Sequence, residues 1–201
     1  QRFDIVIDDG SHRSADIVQS FARYFPRLEL GGLYLAEDLH CSYWAQFDGG
    51  LLDPVSSISF FKRLVDIINH EHWGVPHLRG DLLRPFEAQY GASLDESYLS
   101  EIHSIEFLNS MCLIRKRSAV ENVLGPRVIA GTEAAAESLV ASHGSAAMPA
   151  NPSSNNWSRF PILPETELLP LGARLHQFEA SEAALRAALN AGQAELLKHK
   201  R

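Results

Sequence analysis

An α/β fold with a parallel sheet is what the sequence predicts, and three observations carry that expectation. Phe3–Asp8 (FDIVID) is a short, nearly continuous apolar run, the pattern of a parallel strand buried on both faces. A helical periodicity follows it, and Leu33–Ala36 forms a second apolar run. Each run stops at acidic residues, Asp8 and Asp9 in the first case, Glu37 and Asp38 in the second.

Between the two runs, Ser14 offers a helix N-cap, and Ile17, Val18, Phe21, Tyr24 and Phe25 recur at helical spacing until Pro26 ends the pattern. Gly31 and Gly32 are read as a turn into the second strand. Strand, helix and strand in this order make a βαβ unit with a right-handed crossover. Both acidic pairs are therefore expected at strand carboxyl ends.

Further along, Ser57–Trp73 reads as an amphipathic helix with Ile58, Phe61, Leu64, Val65 and Ile68 on one face. His103–Leu108 and Met111–Arg115 flank Asn109 and Ser110 as a β-hairpin, and this module, residues 1–117, ends near Arg117. Residues 118–141 are an ambiguous extension with a helix expected at Thr132–Ala141. Residues 142–170, rich in Ser, Asn and Ala and carrying Pro149, Pro152, Pro161, Pro164 and Pro170, are expected to be a flexible linker. In residues 171–201, Leu171, Leu175, Phe178, Leu185, Leu189 and Leu196 follow a coiled-coil rhythm that Glu182 and Gly192 interrupt. That segment is either a short self-associating or partner-binding helix or a lone solvated one.

Composition narrows the function. Of 201 residues, 18 are Lys or Arg against 25 Asp or Glu, a formal charge of −7, which argues against binding the phosphate backbone of nucleic acid. Cys41 and Cys112 make no disulfide framework or zinc motif, so a reducing cytoplasm is the expected compartment. No window reaches the roughly 18 uninterrupted apolar residues of a membrane helix.

Ligands of an open parallel sheet sit outside the carboxyl ends of its strands. Neighbouring strands lie about 5 Å apart, so Asp9, Glu37 and Asp38 can converge on one point. Three carboxylates there would repel unless a cation neutralised them, and hard oxygen donors suit Mg²⁺. His12, three residues past Asp9, would border that cation as a general base. Each residue alone has a blander explanation, since strand-end acids often cap helices and loop histidines are often surface groups. His70 and His72 are two residues apart and share no helix face, and they are set aside as ligands with His40 and His77.

The stretches FDIVIDDGSH and LELGGLYLAEDLHCSYW resemble the metal-dependent sugar O-methyltransferases of macrolide biosynthesis, of macrocin and mycinamicin type, and more distantly the catechol O-methyltransferases. The resemblance covers residues 3–117 and is strongest over 3–44. It implies the C-terminal half of a Rossmann-like class I methyltransferase sheet, strands four to seven, with the two motifs ending strands four and five. It further implies Asp9, Glu37 and Asp38 as metal ligands, His12 as catalytic base, Mg²⁺ and S-adenosyl-L-methionine as cofactors, and a sugar hydroxyl on a small molecule or glycan as acceptor. Asp8 either contacts the cofactor or caps the turn, and Tyr43 and Trp44 either pack on the sugar ring or serve ordinary loop packing.

Such a fold also needs a glycine-rich loop after its first strand, which these residues lack, so the chain is expected to be a fragment that is inactive alone. Two competing expectations accompany this one. The chain could be a degenerate assembly module acting through its C-terminal helix, or His12 with a carboxylate could hold iron, although iron oxygenase sites use two histidines.

Overall fold

The first apolar run is strand β1 (Phe3–Asp8), and the periodic segment after it is α1 (Ser14–Tyr24). A 3-10 turn at Phe25–Arg27 leads into β2 (Leu28–Ala36). Then come α2 (Ser57–Ile68), two short helices, α3 (Arg84–Tyr90) and α4 (Glu96–Leu99), and the hairpin strands β3 (Ile102–Leu108) and β4 (Met111–Lys116). The computed structural model describes residues 1–129, 143–145, 181–182, 184–187 and 189–190. The chain divides into two units, Gln1–Ile162 and Leu163–Arg201.

The sheet has four strands in the order β1-β2-β4-β3, with β1 parallel to β2 and β4 antiparallel to both its neighbours. This is the expected mixed α/β arrangement, with the parallel pair joined through α1. On one face Tyr34, Ala36, Cys112 and Ile114 are buried beneath apolar side chains of α1 and α2. Phe21 centres that core: its ring stacks on Phe25 at 4.8 Å and meets Tyr34, Phe60 and Phe61 edge-on at 5.0, 5.4 and 5.7 Å.

Four local expectations need correction. First, β1 is not covered on both faces: Ile5 and Ile7 are 60% and 61% exposed, because among the described residues the core of α1 and α2 packs on the opposite face, the one that carries Val6. An apolar run shows that a strand tolerates burial, not that something covers it. Second, Gly31 and Gly32 are not a turn before β2 but a bulge within it. The β1 register jumps there from Phe3 opposite Leu28 to Ile5 opposite Leu33, and Gly31 has φ 92°. A Cβ on Gly32 would stand 2.9 Å from the carbonyl oxygens of Asp4 and Glu29, so the backbones approach where only glycine fits.

Third, Ser14 is not the cap of α1. Arg13 holds the cap position without a side-chain hydrogen bond, while the buried Ser14 hydroxyl accepts from the Ser57 backbone N–H at 2.9 Å. Fourth, α2 ends at Ile68 rather than Trp73. The Asn69 amide donates to the Val65 carbonyl (2.8 Å) and Trp73 Nε1 to the Asp66 carbonyl (2.9 Å), so side chains take over carbonyls at the helix end. His70–His72 form a separate 3-10 turn.

In the second unit, residues 181–182, 184–187 and 189–190 are helical, with Leu185 and Leu189 exposed and Arg186 paired with Glu182 at 2.9 Å. The expected helix at Thr132–Ala141 and nearly all of the expected linker lie outside the described residues. Among the described residues no helix is long and apolar enough to cross a membrane.

Candidate functional site

Parallel pairing sets the site. Asp8 stands opposite Ala36, and the Glu37 N–H donates to the Asp8 carbonyl at 3.0 Å, continuing the β1–β2 pairing by one residue before both chains turn away. Each departing loop passes through a left-handed residue, His12 at φ 60° and Asp38 at φ 51°. Side-chain-bearing residues adopt that region at a cost and hold it only where their surroundings enforce it.

The two turns bring Asp9, His12 and Asp38 together, with one donor atom of each within 4.8 Å of the others. His12 Nε2 lies 4.0 Å from Asp9 Oδ1 and 3.6 Å from Asp38 Oδ2. The carboxylates are about half exposed or more, whereas the imidazole is 23% exposed and has one side against the protein. Among the described residues Asp9 and Asp38 pair with imidazoles and with no Lys or Arg, leaving their charge uncompensated by a permanent cation. The two carboxylates at this spacing fit a hard divalent cation that keeps several positions for water or substrate oxygens, with the imidazole beside it.

Of the remaining predicted residues, Glu37 is half-buried and its carboxylate falls outside this close group. Asp8 is engaged by its neighbour strand: the buried Tyr34 hydroxyl donates to Asp8 Oδ2 at 2.7 Å. Burial first, and the Asp8 charge second, push the Tyr34 hydroxyl well above its ordinary pKa, so it remains a donor. Tyr43 and Trp44 leave the 3-10 turn Leu39–Tyr43 with 42% and 47% of their surface exposed. The Trp44 ring meets His40 edge-on at 5.0 Å and lies 6.1 Å from Phe47.

The histidines set aside as ligands divide. His70 bonds the His77 carbonyl at 2.9 Å, His72 lies 3.4 Å from Glu71, and His77 lies 3.6 Å from Asp81. His40, by contrast, does have a partner at the site, with its Nδ1 3.8 Å from Asp38 Oδ1.

Sequence reasoning missed the groups that fasten the two loops. Arg13 grips Asp48 with two hydrogen bonds, at 3.0 and 2.9 Å, tying the start of α1 to the loop after Trp44, and this bonding holds the guanidinium pKa above its usual value. Beneath it the buried hydroxyls of Ser42 and Ser57 meet at 2.6 Å. These partners are 35 and 15 residues apart and leave no periodic trace. Tyr34 had a readable signal: in a parallel register it shares a sheet face with Asp8, and it is the one polar side chain in its apolar run.

Fold and site together define an α/β protein with an open carboxylate–imidazole cluster at the carboxyl ends of parallel strands, an arrangement suited to cation-assisted chemistry. Its homologues are sugar O-methyltransferases of the mycinamicin, macrocin and tetracenomycin type. The chain is 47% identical over 90 residues to 8-demethyl-8-alpha-L-rhamnosyl tetracenomycin-C 2'-O-methyltransferase of Streptomyces olivaceus, covering 44% of this chain and 23% of that protein. To mycinamicin VI 2''-O-methyltransferase of Micromonospora griseorubida it is 48% identical over 73 residues, covering 34% and 18%. To demethylmacrocin O-methyltransferase of Streptomyces fradiae it is 47% identical over 73 residues, with the same coverage. The chain thus spans about a fifth of the length of these curated relatives.

Among solved structures, MycE methyltransferase in complex with Mg, SAH and mycinamycin VI aligns at TM-score 0.47 and 30% identity, over 59% of this chain and 27% of that one. A second crystal form with Mg and SAH aligns at TM-score 0.48 and 29% identity, over 69% and 32%. No protein-family model matches the chain.

Proposed function

We propose that these residues form the acceptor-activating part of an S-adenosylmethionine-dependent, Mg²⁺-assisted sugar O-methyltransferase, with β1–β4 as strands four to seven of its sheet. The observation that carries the reading is the meeting of Asp9, His12 and Asp38 at two adjacent strand ends, in a chain whose homologues carry out this reaction. Asp9 and Asp38, with Glu37 swung in from the next position, would hold the cation. When bound, Mg²⁺ supplies a Lewis acid that lowers the pKa of a sugar hydroxyl, and S-adenosylmethionine supplies the methyl group.

The chain's own contribution is proton removal and placement. His12 accepts the hydroxyl proton at Nε2 as the new oxygen–carbon bond forms and the sulfur–carbon bond breaks, leaving a methyl ether and S-adenosylhomocysteine. Tyr43 and Trp44 offer flat faces to the sugar ring, and holding the acceptor in line contributes much of the rate. Asp8, braced by Tyr34, is the residue we assign to cofactor contact. One imidazole with two carboxylates is the reverse of the usual iron oxygenase set, and an assembly module would need no such cluster.

The close approach of His12 to both carboxylates favours a second reading, in which its imidazole is a cation ligand instead of a base. Titration with Mn²⁺, and methyl transfer to a rhamnosylated acceptor by an enzyme that also carries the cofactor-binding half, separate the two. If His12 is the base, His12→Ala loses about 100-fold or more in methyl transfer and leaves Mn²⁺ affinity unchanged. A parallel loss of affinity makes it a ligand, and undiminished transfer by Asp38→Ala refutes the proposed chemistry altogether.

A further inference from the structure

The segment that carries Asp38 is held by the hairpin turn between β3 and β4. Ser110, in that turn, is left-handed at φ 69°, and its carbonyl accepts the Leu39 N–H at 2.8 Å. Its hydroxyl lies 2.6 Å from His40 Nδ1. The same Nδ1 stands 3.8 Å from Asp38 Oδ1, while His12 approaches the other oxygen, Oδ2, at 3.6 Å. The Asp38 carboxylate is therefore flanked by an imidazole on each oxygen, and one of those imidazoles is anchored 70 residues away in sequence. The rings of His40 and Trp44 also meet edge to face at 5.0 Å, which limits the rotation of the imidazole.

We infer that Ser110 and His40 act as one positioning unit: the serine hydrogen-bonds the imidazole, and the imidazole, standing against Oδ1 without a hydrogen bond to it, confines the Asp38 carboxylate so that Oδ2 faces His12. Outer partners of this kind hold a ligand in its binding geometry, and their loss characteristically weakens metal affinity about 10- to 100-fold. The inference rests on the proposed role of Asp38 as a cation ligand. It adds a determinant outside the two strand-end motifs, supplied by the far hairpin.

The test is Mn²⁺ affinity of the whole chain, read by electron paramagnetic resonance, beside the thermal unfolding midpoint. Ser110→Gly removes the hydroxyl and suits a positive φ, so the turn itself survives. Ser110→Asn keeps a side-chain oxygen and tolerates the left-handed region. We expect Ser110→Gly and His40→Ala each to weaken Mn²⁺ binding about tenfold with the unfolding midpoint kept, Ser110→Asn to restore most of it, and the double variant to be no worse than either single one. A purely structural role would lower the midpoint and give additive losses. If Asp38→Ala weakens Mn²⁺ binding while Ser110→Gly and His40→Ala do not, the positioning unit is overturned and the ligand role of Asp38 stands. If Asp38→Ala binds Mn²⁺ as well as the unsubstituted chain, the ligand role fails and takes this inference with it.

Discussion

Lys116 and the Asp9–His12–Asp38 cluster are both charged, yet they are built in opposite ways. The Lys116 ammonium is buried, donates to the carbonyls of Phe25, Pro26 and Leu28 at 3.3, 3.2 and 3.1 Å, and lies 3.2 Å from Glu101 Oε2. The rings of Phe25 and Tyr98 add their faces at 5.4 and 5.3 Å. All three donors of the ammonium are thereby used. The cluster gathers two half-exposed carboxylates around one imidazole with no Lys or Arg to balance them. A closed charge of the first kind secures the fold, whereas an open one of the second kind is a demand for a ligand that folding itself does not meet.

The contrast is sharpest in stability. Lys116→Met would leave three carbonyls and Glu101 without their cation, and chemical denaturation is expected to show a loss of about 3 kcal/mol. A loss below about 1 kcal/mol would mean that Lys116 is not the closed site described here. Asp38→Asn reverses the pattern: calorimetric titration should find Mn²⁺ affinity reduced about 100-fold, while metal-free stability stays within about 0.5 kcal/mol of the unsubstituted chain.

Tyr34 sits between these extremes, a buried donor serving a half-buried carboxylate at the edge of the site. Tyr34→Phe is expected to cost about 1.5 kcal/mol in urea unfolding, with Mn²⁺ affinity changed far less than by Asp38→Asn.

The smallest effect is in alkaline stability. Burial pushes the Cys112 thiol from its ordinary 9.0 up to about 12, so its folded-state pKa exceeds the unfolded one. Its stabilising contribution is then complete below pH 9 and lost as pH climbs toward 12. Tyr90, pushed by burial to about 12 from 10.0, joins only above pH 10. Cys112→Ala should therefore make the fall in unfolding free energy shallower from pH 9 toward pH 12, leaving the part that Cys41 and the buried tyrosines contribute.

The same division explains what was legible in advance. The parallel pair, its helix and the terminal hairpin were readable because each is a local apolar pattern bounded by acids, a proline or a polar turn. Asp9, His12 and Asp38 were readable because they sit within a few residues of the two ends of those patterns. Lys116, at the end of β4, gave no warning, since its partners at residues 25 to 28 and 101 meet it only through the folded sheet. His40 stands two residues past Asp38 and was set aside because the group that fixes its ring there, the Ser110 hydroxyl, lies 70 residues on. The glycine pair misled because a bulge and a turn use the same residues, and only the strand partner distinguishes them.

That bulge acts as a ruler. Downstream of Gly31 and Gly32 the two strands march in step from Ile5 opposite Leu33 to Asp8 opposite Ala36, which delivers their acidic ends level with one another. Side chains alternate along a strand, so shortening the bulge by a single residue would slide β2 one place and turn every later side chain to the opposite face. Two adjacent glycines, six and seven residues before Asp38 and about 20 Å from it, thereby decide which carboxylates can meet at all.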